Sequence, residues 1–135
     1  MLPYELIQSP SELRIRVNAS SLEELFRRSL VAMFEIIEPD FAADATEVSH
    51  TISIKSADRD LLLIDFLSRA LYLSDINDEA YFKVDFIRFT NNDLTAVISG
   101  NKITGFDVEI KAVTYHEVHI KEKDSIFSTE ITFDI

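Results

Sequence analysis

Residues 20–37 read SSLEELFRRSLVAMFEII, and apolar side chains recur through this stretch with the period of an α-helix. The recurring positions are Leu22, Leu25, Phe26, Leu30, Met33, Phe34 and Ile37. Ser21 and Glu24 fit a capping box, in which each side chain satisfies a backbone N–H at the open end of the helix. Pro39 ends the pattern, because proline cannot continue a helix. The stretch therefore predicts a helix with one apolar face that must be buried.

Stretches on both sides of this helix alternate apolar and polar residues, as half-buried strands do. Before the helix, residues 13–17 alternate apolar and basic side chains, and residues 4–7 are expected to be extended. Pro10 marks a turn or bulge between these two stretches. After the helix, residues 48–56 predict a strand with Ile52 and Ile54 on one face.

A second helix is predicted over residues 59–74, where Asp58 supplies the N-cap. Its apolar stripe consists of Leu62, Leu63, Phe66, Leu67, Ala70 and Leu71. The polar residues 75–79 predict a break after it. The remaining strands are predicted over residues 81–89, 94–99, 108–115, 118–121 and 127–133, and the turn residues 90–93 join the first two as a hairpin.

The order of these elements is strand, helix, strand, helix and then a run of strands, which predicts the fold class α+β. We expect two layers, with two helices packed on one face of a mostly antiparallel sheet. No composition break or internal repeat divides the sequence. Residues 1–135 are therefore expected to form a single domain.

The chain is acidic, with 24 acidic and 13 basic side chains among 135 residues and a formal net charge of −11. This charge argues against a protein that binds nucleic acid by neutralising phosphates, so no direct high-affinity nucleic-acid contact is expected. The absence of cysteine excludes a disulfide framework and thiolate chemistry. No signal-peptide pattern opens the sequence, and no apolar run is long enough to span a bilayer. We therefore expect a cytoplasmic protein with no membrane association.

Acidic side chains are concentrated in residues 35–47, which carry five of them and no basic one. A solvated loop is the simpler interpretation. A docking surface for a basic partner is the alternative.

The sequence lacks the common nucleotide-binding and hydrolase motifs GxGxxG, GxxxxGK[ST], HExxH and GxSxG. His116 and His119 are three residues apart in a predicted strand, so their side chains would point to opposite faces and chelate one metal poorly. These two histidines and the isolated His50 are expected to have structural or surface roles. An independent hydrolase built on carboxylates is disfavoured, because the sequence shows neither a nucleophile–base pair nor a complete set of metal ligands.

Two further segments have less usual patterns. The sequence ends Phe133-Asp134-Ile135 directly after a predicted strand. A solvated, frayed end is the usual outcome, and the alternative is a terminal carboxylate held beside Asp134, where a hard cation such as calcium would relieve the repulsion. In the other segment, Lys111, Val113 and Tyr115 share one face of a predicted strand. Lys111 either reaches water past its apolar neighbours or is positioned for an anion.

These two segments resemble the archease family. The family's most recognisable stretch, Lys-Ala-Val-Thr-Tyr-His, occurs unchanged at residues 111–116, and residues 133–135 match its Phe-Asp-Ile type of terminus. The resemblance continues through the opening Tyr4-Glu5, the helix start at residues 21–26 and the second helix at residues 60–67. It covers nearly the whole chain in order, and it implies the same two-layer α+β fold.

The resemblance also implies a function. Archeases are small cytoplasmic proteins that assist RtcB-type RNA-splicing ligases in tRNA splicing. They promote guanylate transfer to the ligase and thereby its multiple turnover, and they are not thought to ligate RNA themselves. We therefore expect a non-enzymatic activator whose partner is an RtcB-type RNA ligase, and which is a monomer or weak homo-oligomer.

The resemblance finally implies a set of site residues. Family members bind calcium through an Asp near the N-terminus, the penultimate Asp and the terminal carboxylate. The family's His-Thr-Ala-Asp segment reads Ser-Pro-Ser-Glu at residues 9–12, so the expected ligands of calcium are Glu12, Asp134 and Ile135. The expected ligase-activation residues are Lys111 and Asp134. The alternative is a divergent archease-fold binding module that has lost metal binding and ligase activation.

Overall fold

The computed structural model of the protein describes residues 4–44 and 46–135. Over these residues the chain forms two helices, α1 (Leu22–Ile36) and α2 (Arg59–Asn77). The strands are β1 (Tyr4–Gln8), β2 (Glu12–Ala19), β3 (Pro39–Phe41), β4 (Glu47–Lys55), β5 (Glu79–Phe89), β6 (Asp93–Phe106), β7 (Ala112–Val113), β8 (Lys121–Lys123) and β9 (Ile126–Asp134). No helix in the described part of the chain combines the length and the apolar character needed to cross a bilayer.

The strands form two antiparallel sheets. The first sheet has the order β1-β2-β9-β7, and β8 also pairs with β9. In the second sheet β6 is central and pairs with β3, β4 and β5. The helices lie against both sheets, because α1 packs on β2 and β5 while α2 packs on β4, β5 and β7. The predicted α+β class, with two helices packed on antiparallel sheet, is confirmed, and the strands divide between two sheets rather than one.

Helix α1 begins where the sequence predicts. The Ser21 Oγ accepts a hydrogen bond from the backbone N–H of Glu24 at 3.1 Å. The reciprocal half of the capping box is missing, because the Glu24 carboxylate binds Arg27 at 2.6 Å and Arg28 at 3.3 Å instead. Charge-assisted hydrogen bonds of this kind are stronger than a neutral bond to a backbone N–H. The buried face of the helix includes Phe26, which is completely shielded from solvent.

Helix α2 extends further than predicted. Residues 75–77 remain helical, and the helix ends only at Asp78, which has a left-handed backbone with φ 54°. The Asp78 N–H donates to the carbonyl oxygen of Ser74, which satisfies one of the last helical carbonyl groups. The polar break predicted at residues 75–79 is therefore wrong, because residues 75–77 complete the helix, Asp78 caps it and Glu79 begins β5.

The segment before β9 differs most from expectation. The strand predicted at residues 108–115 is reduced to β7, and that predicted at 118–121 is replaced by β8, which starts at Lys121. The reason is that β7 and β8 share one edge of β9, pairing with residues 133–134 and 126–128 respectively. The Thr114 N–H still donates to the carbonyl oxygen of Thr132 on β9 at 3.0 Å, but residues 115–120 leave the sheet, and Glu117 adopts a positive φ of 59°. His116 and His119 therefore do not lie on opposite faces of a strand.

The acidic segment at residues 35–47 is not one continuous loop. It contains the end of α1 and all of β3, which pairs with β6. Its five acidic side chains are Glu35, Glu38, Asp40, Asp44 and Glu47, and all are exposed.

Strand β5 approaches β6 closely at Gly100. A Cβ atom built on Gly100 would lie 1.8 Å from the carbonyl oxygen of Ala80 and 2.8 Å from the Cα of Tyr81. The register between the two strands also shifts here, between Tyr81 and Lys83. Only a residue without a side chain permits this approach.

We predict that Gly100→Ala lowers the free energy of unfolding by about 1–3 kcal/mol, because the backbone of β5 must move to admit a methyl group. Gly105→Ala is the matched control on the same strand, since the nearest atom to its added Cβ is 4.0 Å away. The control is expected to change stability by less than about 0.5 kcal/mol. Urea denaturation of the two variants measures the difference, and equal stabilities would contradict the close approach.

Candidate functional site

The expected metal ligands lie at one end of the first sheet. Strands β2 and β9 pair in a register that places Glu12 directly opposite Asp134. On the other edge of β9, Asp134 pairs with Ala112 of β7. Two segments that are far apart in the sequence thus meet at Asp134.

Alternation along the strands decides which face these carboxylates occupy. Leu13 and Phe133 are paired and buried, so the next residues along each strand, Glu12 and Asp134, point to the exposed face. Residues directly opposite in an antiparallel pair have Cβ atoms about 4.5–5.5 Å apart. Neither carboxylate forms an ion pair with any described residue. The site therefore contains two neighbouring carboxylates that have no ion-pair partner among the described residues.

Ile135 is held beside this pair. Its backbone N–H donates to the carbonyl oxygen of Ser11 at 3.2 Å, which extends the β2–β9 contact by one residue. Its side chain is partly buried and packs against the hydrophobic core. The sequence pattern favours a solvated, frayed end, whereas the structure fixes both the backbone and the side chain of Ile135. The main chain of Ile135 is therefore fixed next to Asp134.

The backbone of Lys111 contacts the same end of the first sheet. Its N–H donates to the carbonyl oxygen of Asp134 at 2.7 Å, while its side chain is exposed. Val113 is buried, but Tyr115 lies beyond the end of β7 and is exposed. The expected shared strand face of Lys111, Val113 and Tyr115 is therefore wrong, because β7 is too short to contain all three. The structure brings Lys111 together with the predicted metal ligands all the same.

Tyr115 has a partner that the sequence did not reveal. Its hydroxyl donates to one carboxylate oxygen of Asp65 on α2 at 2.6 Å, and Ser56 donates to the other at 2.5 Å. The hydrogen bond to Asp65 raises the pKa of Tyr115. These contacts tie the segment that follows Lys111 to α2 and to the end of β4.

The donor set fits a hard cation. No group of three or more His, Asp or Glu side chains among the described residues is arranged to hold a metal ion. Glu12 and Asp134 supply two carboxylates, and the main chain of Ile135 adds oxygen beside them. All three are oxygen donors, which calcium prefers over nitrogen or sulfur. Unpaired carboxylates placed opposite one another repel, so a bound cation would also relieve that repulsion.

A second polar cluster lies in the second sheet and is centred on the buried Glu79, with the side chains of His50 and Lys102 partly exposed at its rim. The Glu79 carboxylate accepts hydrogen bonds from Tyr81 at 2.7 Å and from His50 at 2.6 Å, and lies 3.4 Å from the Lys102 ammonium. Burial alone would raise the pKa of Glu79, but the hydrogen bonds from Tyr81 and His50 lower it overall. This cluster supports the structural role expected for His50. The sequence gives no signal for it, because Glu79 reads as part of a polar break.

Comparison with known proteins identifies relatives over the whole chain. The model of the Archease protein family matches residues 4–135. A protein named archease from Methanosarcina barkeri is 31% identical over 98% of this chain and 95% of its own length. An archease from Methanothermobacter thermautotrophicus is 30% identical over 84% of this chain and 85% of its own.

Solved structures share the fold. The solution structure of Methanobacterium thermoautotrophicum protein 1598 superposes with a TM-score of 0.74 at 24% identity, and covers all of both chains. A crystal structure from Thermotoga maritima, described as an archease and possible chaperone, gives a TM-score of 0.65 at 19% identity. That match covers 97% of this chain and 96% of the other.

The Glu79 cluster predicts a loss of stability in acid. Because the folded-state pKa of Glu79 lies below its unfolded value, its stabilisation is present above about pH 4.5 and disappears as the pH falls through the folded pKa. We expect Glu79→Gln to cost about 2 kcal/mol at neutral pH, since charge-assisted hydrogen bonds are lost, and to flatten the acid side of the stability profile. Urea denaturation between pH 3 and 7 measures this.

Glu130→Gln is the matched control. The hydrogen bond from Arg16 also lowers the pKa of Glu130, but that side chain is 40% exposed, so solvent screens the interaction. If the profile of stability against pH is no flatter for Glu79→Gln than for Glu130→Gln, the Glu79 cluster is not the source of the acid sensitivity.

Proposed function

This chain belongs to the Archease protein family, and from that premise we propose that it is a protein activator of an RtcB-type RNA-splicing ligase. In this role it promotes guanylate transfer to the ligase and repeated turnover in tRNA splicing, and it is not itself a catalyst. The observation that carries the proposal is the meeting of Glu12, Asp134, Ile135 and Lys111 at one end of the first sheet. Sequence alone related Asp134 to Ile135 through their adjacent positions after a predicted strand, and related Glu12 and Lys111 to them only through the resemblance.

Under this proposal, Glu12, Asp134 and Ile135 hold a calcium ion. The ion supplies positive charge and open coordination positions at the exposed end of the sheet. Glu12 is one methylene longer than the aspartate of the family motif, and its place opposite Asp134 leaves its carboxylate free to turn toward that end. Lys111, anchored through its backbone to Asp134, has an exposed side chain at the same end of the sheet.

The residues at this end have complementary tasks toward a ligase. The carboxylates bind cations or basic groups, and the exposed Lys111 side chain binds phosphate or carboxylate groups. A surface with both signs of charge can orient a nucleotide and the ligase groups that react with it. Rigid strands hold these side chains, which reduces the entropy lost on binding.

The overall charge supports association with a ligase. An RNA ligase needs a basic face to bind its substrate, and this chain carries a net charge of −11. The exposed acidic side chains of residues 35–47 add to the attraction. Such charges raise association rates, and salt weakens the effect. We accordingly place the protein in the cytoplasm, with the ligase as its partner and without direct high-affinity binding to RNA.

One observation favours a second candidate function. The family's His-Thr-Ala-Asp segment is altered here to Ser-Pro-Ser-Glu at residues 9–12. A divergent binding module that keeps the fold but has lost metal binding and ligase activation would account for this change. The two predictions that follow separate the alternatives.

Calcium at about 100 times its dissociation constant should stabilise the native protein by about 2.7 kcal/mol. Thermal melting in calcium and in chelator measures the shift, with the sequence left untagged after Ile135. Asp134→Asn is expected to abolish the shift, as is a single glycine added after Ile135. Asp85→Asn, which changes an exposed carboxylate on β5, should retain it. If the wild type melts at the same temperature in calcium and in chelator, this result contradicts the calcium site and favours the divergent module.

Ligation turnover with the purified cognate ligase tests activation separately from metal binding. We expect wild-type protein to stimulate repeated turnover, and Asp134→Ala and Lys111→Ala each to reduce the stimulation by about tenfold or more. Asp85→Ala is the control. Equal stimulation by wild type and both site variants would remove the proposed mechanism, and no stimulation by wild type would support the divergent module.

A further inference from the structure

Strand β4 forms an open edge of the second sheet. It pairs with β6 along all nine of its residues, from Glu47 opposite Asn101 to Lys55 opposite Asp93. No other described strand pairs with β4. Its free edge therefore presents a row of backbone N–H and C=O groups that can pair with a further strand.

This edge lacks the features that usually prevent association. Its pairing with β6 is continuous, whereas β5 has register shifts between Tyr81 and Lys83 and between Phe86 and Arg88. Bulges of that kind twist an edge away from a flat partner. Apart from His50, which bonds Glu79 on the inner face, β4 has charged side chains only at its two ends, and its exposed face between them carries Ser49, Thr51 and Ser53. A long, regular edge without internal charges is suited to strand addition.

The sequence of β4 is complementary to itself. We propose that β4 is a self-association surface and that its partner is β4 of a second copy of this chain, paired antiparallel about a two-fold axis at Thr51. In this register Glu47 of each copy faces Lys55 of the other. The inner pairs are Val48 with Ile54, Ser49 with Ser53, His50 with Ile52, and Thr51 with itself.

The two-fold symmetry of the proposed dimer restricts which residues of β4 can pair. A two-fold axis perpendicular to the sheet preserves the two faces, so each residue must pair with one on its own face. Centring the axis on Thr51 satisfies that condition and pairs the full length of β4. The register also places opposite charges at both ends, where cross-strand pairs of opposite sign are favourable and like pairs are not. Neither Glu47 nor Lys55 forms an ion pair within the described part of the chain, so both are available.

Helix α2 supplies a second, independent observation. It runs antiparallel to β4, because Asp65 contacts Ser56 while Glu79, which follows the helix, contacts His50. Tyr72 lines a groove with Ser53, Ile54 and Lys55 of β4 and with the polar residues Asp65, Ser68 and Arg69 of α2. Tyr72 and Ile76, one turn apart, are 59% and 57% exposed. A two-fold pairing of β4 and α2 with the same elements of a second copy would cover these exposed apolar side chains beside the open edge.

The proposed dimer leaves the ligase-facing site free. Glu12, Asp134, Ile135 and Lys111 all belong to the first sheet or to the segment next to β7, and none lies in β4 or α2. Self-association is thus independent of the proposed function, and its test does not require a ligase.

Sedimentation equilibrium of the full-length protein tests the proposal. Over roughly a hundredfold range of concentration, the average mass of the wild type should rise from 15.4 kDa toward twice that value. Glu47→Lys and Lys55→Glu should each raise the dissociation constant about tenfold, because each creates two symmetry-related like-charge pairs. The double variant restores opposite charges and should return to within about threefold of wild type. Asp85→Lys, on the bulged edge of β5, is the control and should leave association unchanged.

Two results would overturn the proposal. One is a wild-type mass that stays at 15.4 kDa over the whole range. The other is self-association that neither charge reversal weakens, which would place the contact on a different surface. An isotope-filtered NMR measurement on mixed labelled and unlabelled protein adds a direct check. It should detect contacts between Thr51 of the two copies, and contacts confined to other strands would also contradict the register.

Discussion

The pairing of β2 with β9 is the constraint on which the rest of the structure depends. It joins residues near the two ends of the chain, from Glu12 opposite Asp134 to Ala19 opposite Phe127. Loop closure over so many residues costs entropy, which the contact must offset. The offset is hydrophobic, because Ile15, Val17, Ile131 and Phe133 are fully buried on the inner face of this ladder. Once the ladder forms, its register also determines which polar residues meet at its end.

The sequence predicted the elements whose signal is local. Helix α1 follows from its apolar stripe and from the Ser21 cap, and both were found where the period of the helix placed them. The strands β7 and β8 were not predictable in the same way, because an alternating pattern records which faces are apolar and not which edge is available for pairing. With β2 along one edge of β9 and two short strands sharing the other, residues 115–120 had no place in the sheet. Which strands compete for one edge of β9 depends on the whole fold, so no local sequence pattern reports it.

The candidate site likewise combines features that the local sequence predicts with features that depend on the assembled fold. Residue identity alone suggested that Asp134 and Ile135 are unusual, but the fixed position of Ile135 depends on a hydrogen bond to Ser11, more than a hundred residues away in the sequence. The Glu79 cluster depends on β4, β5 and β6 being neighbours, since His50, Glu79 and Lys102 come from three different strands. No spacing rule relates these positions, so only the assembled sheet reveals the cluster.

The two polar clusters differ in how their charges are compensated, and this difference bears on their roles. The Glu79 carboxylate is buried and receives hydrogen bonds from Tyr81 and His50, so it is satisfied within the fold. Glu12 and Asp134 are exposed, face one another and have no cationic partner among the described residues, so their mutual repulsion works against the end of the β2–β9 ladder. Any cation or basic group that binds there removes the repulsion and strengthens the ladder. A satisfied cluster stabilises the fold by itself. A cation or basic partner bound at the unsatisfied one would supply the missing compensation, and the free energy of that binding would then stabilise the strand pairing that created the site.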